Sequence, residues 1–297
     1  MSDYIFGRVL TAMVTPFNED GSINYGVAEK LASHLVDNGS DGIVVCGTTG
    51  ESPALEHQEK NELLKVIKSA VGNRGKIIMG TGSNSTQSAI ALTREAEKIG
   101  IDGSLQVVPY YNKPPQEGLY QHFGAIASAC PDVPIMLYNI PGRTGKNLEP
   151  ETIARLYKEF DNIVAVKEAS GNLEQAAQIN TLTANNMLIY SGEDFLTLPM
   201  MTVGGVGVVS VASHLVGNEI QSMIQAYESG KNKIAQDIQQ KLYSLFKVLF
   251  CDTNPIPLKS ALQQLGWKVG GVRLPLSSIS KQNEQEVKKV LQELGLL

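Results

Sequence analysis

Several things are scarce in this sequence. Its 297 residues include one tryptophan, three cysteines and four histidines, and the formal net charge is -5. The cysteines, Cys46, Cys130 and Cys251, are far apart with no C-x-x-C spacing. An odd, scattered set in a chain this long excludes a disulfide scaffold and points to a reducing compartment. The histidines, His34, His57, His122 and His214, show neither H-x-x-x-H nor H-E-x-x-H spacing, so no metal is expected. No apolar run approaches the ~18 residues of a membrane span. The start, MSDYIFGRVL, lacks the basic and apolar regions of a signal peptide. A cytoplasmic protein is the expectation, and membranes are not among its partners. Without an excess of basic residues there is no electrostatic reason to expect nucleic acid either.

What is abundant is a repeated pattern. Short Val- and Ile-rich runs begin at Val9, Gly42, Lys76, Ser104, Pro134, Ile163, Leu188 and Gly205, most of them ending in a polar, Gly- or Thr-rich cluster. They read as about eight strands. Between them lie amphipathic stretches that read as helices closed by glycine: from Glu29 to a cap at Gly39, from His57 to Gly72, and from Ser88 to Gly100. Apolar strand, amphipathic helix and glycine in repetition describe βα units around a buried parallel sheet. A count near eight and polar clusters at the strand ends favour a (β/α)8 TIM barrel over an open doubly wound sheet. No dinucleotide fingerprint follows the first strand. The α/β barrel is expected over residues 1–229. Residues 230–297 read as a C-terminal helical extension packed on the barrel or on a neighbouring subunit.

Lys167 closes the run Ile163-Val164-Ala165-Val166-Lys167, and alternation puts it on one face with Ile163 and Ala165. A lysine at a strand end commonly snorkels to water. At the C-terminal end of a barrel strand, where such folds keep their active sites, a desolvated lysine is instead a nucleophile for a carbonyl. Tyr138, expected to share a face with Met136 and Ile140, is either core packing or a phenol able to shuttle the protons that imine formation needs. Arg143, in a Pro- and Gly-stiffened loop, is a solvated charge or a bidentate clamp on a carboxylate. Gly47-Thr48-Thr49-Gly50-Glu51-Ser52 is a small-anion cradle or a turn into a helix. It is not a P-loop, because no Gly-Lys-Ser/Thr follows. Of the adjacent Tyr110 and Tyr111, at most one faces the barrel mouth. No G-x-S-x-G elbow is present, and the cysteines read as small hydrophobes.

Together, G-T-T-G-E-S, V-P-Y-Y-N-K-P, Y-N-I-P-G-R-T-G and V-K-E-A-S-G-N resemble the dihydrodipicolinate synthase family, from about Gly7 to the C-terminal Leu-Gly-Leu-Leu. The wider superfamily includes N-acetylneuraminate lyase and other pyruvate-dependent class I aldolases. The resemblance implies a lyase that joins pyruvate to aspartate semialdehyde in diaminopimelate and lysine biosynthesis, with no cofactor beyond a pyruvate imine on Lys167. It implies Tyr138 as proton donor and acceptor. Thr48 would link it to Tyr111, which reaches in from the neighbouring subunit of a tight dimer. Thr49 would hold the pyruvate carboxylate and Arg143 the carboxylate of the semialdehyde, with Gly192 and Val209 touching substrate. A homotetramer, a dimer of tight dimers, is the implied assembly. Arg143 and the Thr48-Thr49 pair favour a synthase over a sugar-acid lyase. A barrel that had lost catalysis would be expected to have replaced Lys167 or Tyr138.

Many family members are inhibited by lysine at the dimer interface. Of the residues that line that site, Ser52, His57, Asn84 and Tyr110 are matched, whereas Lys60 stands for a second histidine and Ser88 for a glutamate. A cation at position 60 and a lost carboxylate at position 88 disfavour a lysine ligand.

Overall fold

In a computed structural model, residues 4–297 are described. Eight strands close into a barrel in sequence order: β1 (Val9–Ala12), β2 (Gly42–Val45), β3 (Lys76–Gly80), β4 (Gly103–Val107), β5 (Ile135–Asn139), β6 (Ile163–Glu168), β7 (Leu188–Ser191) and β8 (Gly205–Ser210). The connecting helices are α1 (Tyr25–Asp37), α2 (His57–Val71), α3 (Thr86–Ile99), α4 (Gln116–Ala129), α5 (Pro141–Thr144), α6 (Pro150–Glu159), α7 (Leu173–Leu182) and α8 (Thr197–Met201). After β8 come α9 (Ser213–Glu228), α10 (Asn232–Val248), α11 (Ile256–Gln264) and α12 (Lys281–Glu293). The architecture is the expected (β/α)8 barrel with C-terminal helices. Among the described residues, no helix is long and apolar enough to cross a membrane.

The chain forms two compact units: Ile77–Val209 with the N-terminal segment to Arg8, and Val9–Lys76 with Ser210–Leu297. In the first, Ile135, Leu137, Val166 and Ile189 of the strands pack with Phe123, Ile153 and Ile179 of α4, α6 and α7. In the second, α1 packs on α2, α9 packs on β1 and α10, and α12 packs on α10 and α11.

Local chemistry moved some helix ends. α1 starts at Tyr25 rather than Glu29, because the Asn24 side chain accepts from the Val27 N–H at 3.0 Å and caps the helix earlier. Its C-terminal cap is Asn38, with Gly39 just beyond at φ +94°, where a Cβ would lie 2.5 Å from the carbonyl carbon of Gly217. Gly39 is thus needed for both its backbone conformation and a close approach. α3 starts at Thr86 rather than Ser88, behind the cap Ser85. α2 spans His57–Val71 and is capped by Gly72, as the sequence pattern predicts.

One expectation about facing is corrected. β5 steps from Ile135 to Met136 while β6 steps from Ile163 to Ala165, so Val164 is an extra residue in the ladder. Strict alternation fails there. Ile163 packs with Ile135, Leu137 and Val166 in the helix-facing layer rather than sharing the face of Ala165 and Lys167. Ile140 likewise lies outside β5, as the residue that precedes α5.

Candidate active site

The first unit holds the lysine. Register places Tyr138 of β5 and Tyr190 of β7 opposite Lys167, one on each side. Lys167 is 7% exposed, and its Nζ lies 4.4 Å from the Tyr138 ring centroid. Burial pulls its pKa from the usual 10.5 down to about 8; the Asp194 carboxylate opposes the fall and the Arg143 guanidinium adds to it. At pH 7 about one such amine in ten is neutral, against roughly one in several thousand for an unperturbed lysine. That is the state a nucleophilic amine needs.

Behind this pair, alternation turns Asn139 and Glu168 to the opposite face, paired with each other in register. Glu168 is 1% exposed and is held by neutral donors: Asn139 Nδ2 at 3.0 Å, Gln175 Nε2 at 2.9 Å and the Ser170 N–H at 2.7 Å. Asn147 bridges Asn139 and Gln175. The network clamps the strand ends that present Tyr138 and Lys167. Gly192, just past β7, donates its N–H to the Glu168 carbonyl at 2.8 Å. A Cβ there would lie 2.4 Å from the Ala169 Cβ, so the position is closed to any side chain. Val209 is buried near the end of β8. Arg143 is exposed on α5, the short helix that follows β5.

Tyr110 and Tyr111 follow β4. Tyr111 is 90% exposed and has a φ of +71°. A tyrosine in the left-handed region with its whole ring in water is costly twice over. Asn84 presents its carbonyl to Asn112 Nδ2 at 2.9 Å.

The second unit holds the Gly47–Ser52 loop after β2. Cys46 and Glu51, at each end, both have a φ of +55°. The Glu51 N–H donates to the Thr48 carbonyl at 3.0 Å, which tightens the turn. Thr48 is half-buried and Thr49 buried. Asn254 Nδ2 donates to Thr49 Oγ1 at 2.8 Å, and Thr15 Oγ1 donates to the Gly50 carbonyl at 2.7 Å. Glu51 is ion-paired with Lys259 and accepts from the Arg273 N–H at 2.8 Å. Arg273 in turn grips both carboxylate oxygens of Glu59, at 2.6 and 2.7 Å. Ser52 opens a single 3-10 turn, and His57 is exposed at the start of α2. Burial pushes the Cys46 thiol up to about 12, which rules it out as a nucleophile.

Lys167, Tyr138, Arg143 and the threonine pair stand out in the sequence, whereas Asp194, Glu168, Asn254 and Lys259 do not. Two signals were available: a carboxylate three residues past a strand end, and a lone lysine inside the apolar stretch Ile256–Leu262.

A buried amine of lowered pKa lies at the carboxyl end of a barrel strand and against a tyrosine ring, an arrangement that suits attack on a carbonyl. The chain matches the dihydrodipicolinate synthetase family over residues 5–294 and belongs to that family. It is 65% identical over 292 residues to the 4-hydroxy-tetrahydrodipicolinate synthase of Microcystis aeruginosa, covering 98% of both chains. It is 61% identical to the synthase of the same name from Cyanothece, covering 98% of this chain and 99% of the other. Among solved structures, the dihydrodipicolinate synthase of Cyanidioschyzon merolae with lysine bound is 54% identical, with a TM-score of 0.98 over 99% of this chain and 100% of that one.

Proposed function

We propose that this chain is a lyase that condenses pyruvate with L-aspartate 4-semialdehyde to give 4-hydroxy-tetrahydrodipicolinate and water, in diaminopimelate and lysine biosynthesis. The observation that carries this reading is the buried Lys167 beside Tyr138, with a pKa lowered to about 8, in a chain of this family. Neutral Lys167 Nζ adds to C2 of pyruvate, and loss of water from the carbinolamine leaves an imine. The iminium acidifies C3, Tyr138 takes the proton, and the resulting enamine attacks the aldehyde carbon of the semialdehyde. The amine of that substrate adds to C2 and displaces Lys167, which closes the ring. The lysine is itself the electron sink, so no cofactor is called for.

Tyr138, 5% exposed and opposite Lys167 in register, is the proposed proton donor and acceptor. Thr48 and the partner subunit's tyrosine equivalent to Tyr111 complete its relay. Support for a subunit partner comes from Tyr111 itself, whose 90% exposure leaves an aromatic ring uncovered in a single chain. A tetramer of tight dimers is the proposed assembly and the cytoplasm its place. The helices of 230–297 serve the barrel and its interfaces. Thr49 is assigned to the pyruvate carboxylate, Arg143 to the carboxylate of the semialdehyde, and Gly192 and Val209 to substrate contact. Ser52, His57, Asn84 and Tyr110 are what remains of a lysine-responsive site.

The test is pyruvate consumption by the purified protein with aspartate semialdehyde or with N-acetylmannosamine, alongside Lys167→Ala. Consumption with the semialdehyde alone, abolished in the variant, is expected. Consumption with the amino sugar alone would move the chain to the sugar-acid lyases.

A further inference from the structure

We infer that Asn254 is a positioning residue that fixes the donor sense of the Thr49 hydroxyl and so makes the site select a keto substrate bearing a carboxylate. The inference rests on the reading above, in which Thr49 holds the carboxylate of pyruvate. A threonine hydroxyl has one proton and two lone pairs, whereas an amide nitrogen has only protons to give. Asn254 Nδ2 donates to Thr49 Oγ1 at 2.8 Å, and both side chains are buried. One lone pair of Oγ1 is thereby occupied, and the hydroxyl proton is left for another acceptor. An anion is the acceptor that gains most, since a hydrogen bond to a charged group is about twice as strong as a neutral one.

Burial keeps water from competing for this amide. Asn254 is 6% exposed, and its Oδ1 is buried with no hydrogen-bond partner. The same stretch of chain supplies Lys259, whose Nζ holds Glu51 Oε1 at 2.7 Å, two residues along the loop from Thr49. The loop is therefore pinned at two points by one segment, and a third bond runs from Thr15 to Gly50. Within a loop held this way, the amide of Asn254 decides whether the threonine gives or receives.

Asn254→Asp separates this role from packing. The carboxylate is nearly isosteric but only accepts, so it takes the Thr49 proton for itself and sets a negative charge beside the substrate anion. The readout is borohydride trapping of the lysine imine, followed by mass spectrometry across a concentration series of pyruvate and of its neutral amide, pyruvamide. Asn254→Asp is expected to raise the half-saturating pyruvate concentration by about 100-fold and to leave that of pyruvamide within about 2-fold. Asn254→Ala, which frees the hydroxyl without adding charge, is expected to raise the pyruvate value by about 10-fold and serves if the aspartate variant does not fold. Equal weakening of both ligands, or pyruvate trapping as in the parent protein, would overturn the inference. No trapping of pyruvate by the parent protein would instead overturn the imine reading, and this inference with it.

Discussion

Glu51 and Lys259 form an ion pair at 2.7 Å with side chains 1% and 3% exposed, although they come from opposite ends of the sequence. The Lys259 ammonium also donates to the Gly271 carbonyl at 2.6 Å and lies 4.1 Å from the centroid of the Phe17 ring. Burial lowers the Lys259 pKa to about 8, against the pull of Glu51. The pair holds the loop that carries Thr48 and Thr49.

Breaking one side of that pair should cost more than removing both. Lys259→Met leaves the Glu51 carboxylate buried without its cation, and a loss of about 3–5 kcal/mol is expected in urea unfolding. Glu51→Gln combined with Lys259→Met should recover much of it. A single variant as stable as the parent would show that the loop does not depend on the pair.

The rate of imine formation should rise with pH and level off as Lys167 deprotonates, near pH 8. The two neighbouring charges act on it in opposite senses. Asp194→Asn removes a carboxylate that favours the ammonium, so the midpoint moves to lower pH. Arg143→Ala removes a cation that disfavours it, so the midpoint moves to higher pH. Stopped-flow mixing with pyruvate across pH 6–9 reads both, and shifts of the same sign would contradict the assignment.

His214 should make the fold sensitive to mild acid. Its Nε2 accepts from the Val14 N–H at 3.2 Å and its Nδ1 lies 2.9 Å from the Val211 carbonyl, so the neutral ring is fully engaged. Burial lowers its pKa to about 4, with the Val211 contact opposing and His34 assisting. Between pH 6.5 and 4 the unfolded chain binds a proton that the folded chain refuses, so stability falls as pH falls through that window. About 2 kcal/mol is lost by pH 5. His214→Asn, which does not titrate, should lose about that much less between pH 7 and pH 5 in the same unfolding measurement.

Lysine should inhibit weakly or not at all. Lys60 and Ser88 stand where the resemblance implies a histidine and a glutamate in lysine-responsive family members, and Ser88 is exposed in the first turn of α3. The structure from Cyanidioschyzon merolae does hold lysine, which makes the comparison a sharp one. A sub-millimolar inhibition constant in a steady-state assay would overturn the expectation.

Much of the fold was legible because its signals are local. Buried strands advertise themselves as Val- and Ile-rich runs, and α2 and α3 end at Gly72 and Gly100 because a left-handed or unusual φ is needed there. Lys167 and Tyr138 stood out for the same reason: each sits in the last two residues of a strand, a place that can be read without knowing its neighbours. Where a short polar side chain competed with the pattern, as Asn24 and Ser85 do, the helix began earlier than periodicity alone suggests.

The sequence by itself determined the order of strands and helices, the barrel that follows from it and the residue types at the strand ends, since hydrophobic period and capping act over a few residues. Only the tertiary structure decided that Ile163 turns to the helices, through an extra residue in β6. It alone brought Asp194 to bear on Lys167, Asn254 to Thr49 and Lys259 to Glu51. Those relationships join residues far apart in the chain, and burial and charge act through space, so no local pattern encodes them.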